Sequence, residues 1–261
     1  MRTVIDGIDI NYDFRGEENP SDTLVVLLHG WGSNIKLFDN LMSVVSKNYP
    51  VAALDMPGFG ETSEPCEAWD VGKYTDFVIK FVESFGYKKV ILLGHSFGGR
   101  VIIKMLTQRE ISFEVPKIIM VDAAGIKPKK SFKQKLRQRV FKIGKWFLNI
   151  GFVKKLAPDA LDNWRKKFGS ADYNSASEVM KLSLIKVVNE DLTDYLSKIN
   201  ADALLVWGEN DTATPLSDGK LMEKLIPSSG LVTLKNAGHY SFLEQQFTFN
   251  RVIESYLKIS Q

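Results

Sequence analysis

Three side chains, far apart along this chain, have the types and settings to share one piece of chemistry. Ser96 lies in Gly94-His95-Ser96-Phe97-Gly98, between the apolar run 90–93 and a second apolar run that starts at Val101. A strand, then G-x-S-x-G, then a helix forces a tight turn whose serine takes a strained backbone and stands clear of the sheet. The flanking glycines, with Gly99 as a further small residue, let strand and helix approach without a Cβ clash. A serine hydroxyl is a weak nucleophile at neutral pH and needs a base, most often a histidine oriented by a carboxylate. The chain has three histidines. His95 adjoins the serine, and its ring should point away from the hydroxyl. His29 ends another apolar strand, in Leu27-Leu28-His29-Gly30-Trp31-Gly32. His239 remains, on a loop between the strand-like run 231–234 and a helix starting near Phe242, where it can lean over a sheet edge.

On such an elbow the acid falls between serine and histidine in chain order. The buried-strand signal 203–207 is followed by Gly208-Glu209-Asn210-Asp211, which puts Asp211 where it should face the histidine. Its task would be to hold the Nδ1–H tautomer and stabilise the imidazolium. Glu209 reads as a solvated loop charge. Asp122, after the run 117–121, is the second candidate, one strand earlier. Acyl transfer also needs backbone N–H donors aimed at the developing oxyanion. Phe97, directly after the serine, is one candidate; Trp31, in the glycine-rich stretch after strand 24–28, is the other. The Trp31 ring also reads as a large aromatic packed on the sheet end, and its backbone can donate while the ring lines the pocket.

The elements that must position these groups are legible in outline. Asp6-Gly7, between two short alternating runs, reads as a hairpin turn. Strands are expected at 24–28, 51–54, 90–93, 118–121, 203–207 and 231–234. Helices are expected at 37–47, 74–85, after Ser96, and at about 216–225 and 242–258, with Pro215 suited to the first turn of its helix. This alternation argues for a parallel sheet covered on both faces.

His29-Gly30-Trp31-Gly32, Asp55-Met56-Pro57-Gly58-Phe59-Gly60, Gly94-His95-Ser96-Phe97-Gly98-Gly99, Gly208-Glu209-Asn210-Asp211 and Gly238-His239 together resemble the serine α/β-hydrolase superfamily, in its cap-bearing, esterase-like branch. The resemblance covers most of the chain outside about 126–199. It implies an α/β-hydrolase fold: an eight-stranded, mostly parallel sheet with Ser96, Asp211 and His239 at the carboxyl ends of its strands. It says little about substrate, because the fold hosts many chemistries.

At 261 residues, with 44% hydrophobic and 25% charged residues, the chain is long enough for one large α/β domain with an insertion. The insertion is expected at 126–199, a helical cap dividing a core of 1–125 and 200–261. Between residues 127 and 167 stand fourteen Lys and Arg but only two acids, +12 in a chain of net +3. Phe132, Leu136, Val140, Ile143, Phe147 and Ile150 follow helical spacing there. A lid with a solvated basic face is one reading. Attraction to an anionic surface or an acidic carrier protein is another, and nucleic acid a third, disfavoured by the acidic balance elsewhere. One cysteine, Cys66, excludes an intrachain disulfide and favours a cytoplasmic setting. No apolar run is long enough to span a bilayer. No metal-ligand pattern and no cofactor are expected.

The function these readings lead to is hydrolysis of a carboxylic ester or related acyl compound through an acyl-enzyme, with a small-molecule substrate. C–C bond hydrolases, thioesterases, aminopeptidases and perhydrolases can use the same constellation. A small-molecule receptor that keeps the triad is the alternative outside enzymology.

Overall fold

The computed structural model describes residues 1–127 and 176–259. Eight strands form one sheet: β1 (Arg2–Ile5), β2 (Ile8–Arg15), β3 (Thr23–Leu28), β4 (Val51–Leu54), β5 (Lys89–His95), β6 (Lys117–Val121), β7 (Asp202–Gly208) and β8 (Ser229–Leu234), in the order β1-β2-β4-β3-β5-β6-β7-β8. β1 and β2 pair antiparallel, as do β2 and β4; every other neighbouring pair is parallel. This is the α/β-hydrolase sheet that the motifs imply. The opening hairpin turns on Asp6 (φ 51°) and Gly7 (φ 77°), two consecutive positive-φ residues of the kind a two-residue hairpin loop demands.

The central strands are buried along their whole length because helices cover both faces. Side chains alternate between two cores with the period of two that a strand imposes. Leu24, Val26 and Leu28 point into the core beneath α2 (Val71–Glu83) and α3 (Phe97–Gln108). Val25 and Leu27 point into the opposite core, with Leu41 and Met42 of α1 (Asp39–Val45). Asp70 caps α2, its side chain accepting from the Lys73 N–H.

Three boundaries differ from the sequence reading. The helix expected over 37–47 begins as a 3-10 turn, Ile35–Phe38, before α1. Pro215 sits one residue ahead of its helix, α5 (Leu216–Leu225), rather than inside it. The helix expected over 242–258 is two: a single turn, α6 (Ser241–Glu244), and α7 (Gln246–Leu257). Gln245, between them, leaves helical geometry at φ −123° and donates its side-chain N–H to the Lys235 carbonyl. Within the stretch expected as a cap, the described part is α4 (Glu178–Asn189) and a 3-10 turn, Thr193–Lys198. The basic apolar-striped segment 128–167 lies outside the described residues. α4 rests on the loop after β4: the Ser183 hydroxyl accepts from the Trp69 N–H at 2.9 Å, and Tyr74 Oη lies 3.8 Å from Met180 Sδ.

Candidate active site

Ser96 joins β5 to α3 at φ 49° and ψ −107°, a backbone conformation that a residue with a Cβ holds only when its surroundings enforce it. Two hydrogen bonds do so from the end of β6. The Ser96 N–H donates to the Val121 carbonyl at 3.1 Å, and the Ser96 carbonyl accepts from the Ala124 N–H at 2.9 Å. A Cβ on Gly98 would stand 2.3 Å from the Leu28 carbonyl oxygen, so only glycine lets α3 start this close to β3. The elbow leaves the serine half-buried, with its hydroxyl on the side of the His239 loop.

Three loops meet at this hydroxyl. His239 Nε2 lies 3.0 Å from Ser96 Oγ, and His239 Nδ1 lies 2.8 Å from Asp211 Oδ2. A carboxylate can only accept, so Nδ1 carries the proton and Nε2 presents its lone pair to the hydroxyl. The loops that carry Asp211 and His239 approach closely because Gly208 is glycine: a Cβ there would fall 2.1 Å from the Gly238 carbonyl oxygen. Asp211 is buried, which by itself would raise its pKa. The hydrogen bonds from His239 and Thr214 outweigh that and hold the carboxyl below its usual range. Its other oxygen accepts the backbone N–H groups of Ala213 and Thr214, at 2.7 and 3.0 Å.

The second acid candidate, Asp122, is fully buried and does a different job. One oxygen accepts from the Gly208 N–H at 2.7 Å; the other accepts from the Ser241 N–H at 3.1 Å and the Ser241 hydroxyl at 2.6 Å. It ties the end of β7 to the residues just after His239. Burial pushes its pKa up to about 7 against these three donors, and the charge of Asp211 pushes the same way. Glu209 is exposed and accepts from the Asn236 N–H at 3.2 Å.

The other two histidines are buried. His95 Nε2 lies 2.8 Å from the His239 carbonyl, so it carries the proton and donates. Burial lowers its pKa to about 3, which keeps the ring neutral, and its Nδ1 has no hydrogen-bond partner among the described residues. His95, the neighbour of Ser96, therefore holds the peptide of residue 239. His29 is neutral for the same reason, its pKa lowered by burial. Its Nδ1–H donates to the Gly30 carbonyl at 2.7 Å, and its Nε2 accepts from the Met56 N–H at 2.9 Å. This ties the loop that carries Trp31 to the loop after β4. The Trp31 ring packs edge-to-face on Phe97 and Phe59, at 5.4 and 4.8 Å between centroids. Phe97 opens α3, so its N–H has no carbonyl one turn earlier to bond. Trp31 and Phe97 thus touch through their rings beside the serine.

Two residues outside the sequence reading belong to this arrangement. The Ser241 hydroxyl donates to Asp122, and Thr214 Oγ1 stands 2.7 Å from Asp211 Oδ2 and 3.2 Å from His239 Nδ1. No pattern in the sequence marks Thr214, which follows Asp211 by three residues. Among the described residues no cluster of His, Cys, Asp and Glu could hold a metal, and no helix is long and apolar enough to cross a membrane. Cys66 is exposed.

A model of the alpha/beta hydrolase family matches residues 25–251. The AB hydrolase superfamily protein YisY of Bacillus subtilis is 27% identical over 251 residues, spanning 89% of this chain and 90% of its own. The pimeloyl-[acyl-carrier protein] methyl ester esterase of Neisseria meningitidis serogroup C is 24% identical, over 90% of this chain and 93% of its own. Among solved structures, the esterase EaEST of Exiguobacterium antarcticum superposes with a TM-score of 0.74 at 24% identity, covering 97% of each chain, a likeness of fold.

Proposed function

From the premise that the chain belongs to the alpha/beta hydrolase family, we propose that it is a serine hydrolase that cleaves carboxylic esters through an acyl-enzyme. The observation that carries this reading is the continuous line from Ser96 Oγ through the His239 ring to Asp211 Oδ2, at 3.0 and 2.8 Å. Both distances are within hydrogen-bond reach before any substrate is bound.

Ser96 attacks the acyl carbonyl while His239 Nε2 takes the hydroxyl proton. Asp211 stabilises the imidazolium so formed. The N–H groups of Trp31 and Phe97 hold the oxyanion of the tetrahedral intermediate. His239 returns the proton to the departing alcohol, leaving the acyl group on Ser96. Water, deprotonated by the same nitrogen, then attacks the ester, and the acid leaves as Ser96 regains its proton. The chemistry calls on no metal and no organic cofactor.

Ser96→Ala should lower kcat on p-nitrophenyl esters by ~10⁴-fold or more, leaving only binding and oxyanion effects. Near-normal turnover by this variant would refute the assignment. A triad-bearing receptor, by contrast, would take one acyl group and stop.

The choice of ester has one lead. Proteins 24% identical to this chain act, by name, on a methyl ester borne by an acyl carrier protein, and segment 127–167 carries +12. A carrier-bound methyl ester should therefore show a kcat/KM that falls steeply with salt, since steering by surface charge is screened. Equal salt dependence for carrier-bound and free methyl esters would remove the carrier from the account.

A further inference from the structure

The loop after β7 carries a hydroxyl whose proton has one good place to go. Thr214 Oγ1 has three neighbours: Asp211 Oδ2 at 2.7 Å, the Asp122 carbonyl oxygen at 2.9 Å, and His239 Nδ1 at 3.2 Å. The hydroxyl has a single proton and two lone pairs. With that proton on the Asp122 carbonyl, a hydroxyl lone pair would face an ionised carboxylate oxygen at 2.7 Å, which is repulsive. The proton therefore lies between Thr214 and Asp211, where a charge-assisted bond is shortest and strongest.

We propose that Thr214 is a positioning residue of the Ser96-His239-Asp211 line, its hydroxyl donating to the very oxygen that holds the histidine. The inference rests on the catalytic reading above and deepens it. The threonine is fixed at its other end: its carbonyl accepts from the Nε1–H of Trp207, a fully buried side chain, at 2.8 Å. Its backbone N–H donates to Asp211 Oδ1 at 3.0 Å. A residue that bonds both oxygens of one carboxylate and is itself held by Trp207 is placed to set that carboxylate's charge density and aim.

The sign of the effect follows. A donor on Oδ2 draws electron density from the carboxylate and makes it a weaker partner for the imidazolium. Removing the hydroxyl makes Asp211 more basic toward His239 Nδ1–H and favours the charged ring. The free base then appears at higher pH. The other groups facing His239 and Asp211 are Ser96 and the neutral His95 on the elbow, Tyr240 against the His239 ring, Asp122 at the end of β6 and Asp218 in the first turn of α5. All of them are unchanged in a Thr214 variant, so a shift reports on the hydroxyl.

The test is kcat/KM for a p-nitrophenyl ester from pH 5 to 9 in wild type, Thr214→Val, Thr214→Ser and Ser96→Ala. Valine keeps the shape and loses the hydroxyl; serine keeps the hydroxyl. The acid limb of Thr214→Val should move to higher pH by about half a unit or more, while Thr214→Ser stays with wild type. Thr214→Ala should shift in the same direction, and it stands in should the valine variant fail to fold. A lowered plateau with the limb unmoved would mean plain packing and would overturn the proposal. Loss of activity in Ser96→Ala with no shift in Thr214→Val defeats the role of Thr214 alone. Normal activity in Ser96→Ala defeats the catalytic reading beneath it.

Discussion

Asp211 and Asp122 are both buried carboxylates that follow a parallel strand, and their partners separate them. Each accepts two backbone N–H groups and a hydroxyl, and Asp211 alone also meets an imidazole. Asp211→Asn would present the wrong hydrogen-bonding pattern to Nδ1–H and should lower kcat by about 10⁴. Asp122→Asn should cost clearly less, because it slackens the support of residue 239 without touching the ring. Steady-state kinetics on both variants decide the matter, and a larger loss in Asp122→Asn would exchange their roles. The sequence nominates Asp211 first and Asp122 second, and each stands just beyond an apolar strand. Adjacent strands β6 and β7 pair Val121 with Val206, which brings Asp122 beside Gly208 and commits it there. Thr214 was invisible for a related reason: its role depends on how tightly the loop curls around Asp211, which a residue type does not encode.

At the scale of elements, the alternation of strand and helix was readable from apolar runs because parallel strands are buried on both faces. Element ends were less readable, because tertiary partners set them. At the break, the Gln245 side chain reaches the Lys235 carbonyl, ten residues back. The same contacts give the elbow its dependence on glycine. Gly98→Ala would push a Cβ into the Leu28 backbone, with no flexible side chain there to yield. It should destabilise the fold by about 1–3 kcal/mol and displace Ser96 from His239. Urea unfolding with parallel ester turnover checks this. Wild-type stability and rate in Gly98→Ala would show that β3 and α3 do not constrain each other as described.

Across the whole molecule, buried ionisable groups tie stability to pH in opposite senses. The folded-state pKa of His95, about 3, lies below its ordinary 6.5, so the unfolded chain binds a proton that the native state refuses. Its contribution is full above about 6.5 and is lost as the pH falls toward 3. The lowered Asp211 acts in the same sense, its contribution lost as pH falls through the folded value. Asp122 acts oppositely. Raised to about 7, it keeps a proton that the unfolded chain has released, so its contribution fades as pH rises from the ordinary carboxylate range through about 7. His95→Gln should therefore flatten the acid side of the stability curve. The lead of wild type over Asp122→Asn should be larger at pH 5 than at pH 8. Urea titrations at several pH values read both, and a lead that grows with pH would reverse the sign assigned to Asp122.

The central claim is that Ser96 is the atom-bearing nucleophile of a line completed by His239 and Asp211. Its most direct test is intact-mass and peptide-level mass spectrometry of the protein after a fluorophosphonate, with residual ester turnover followed in parallel. The account predicts one adduct per chain, on Ser96, with activity lost in step with labelling. Activity that survives stoichiometric modification of Ser96, or an adduct that forms elsewhere while activity falls, would contradict it.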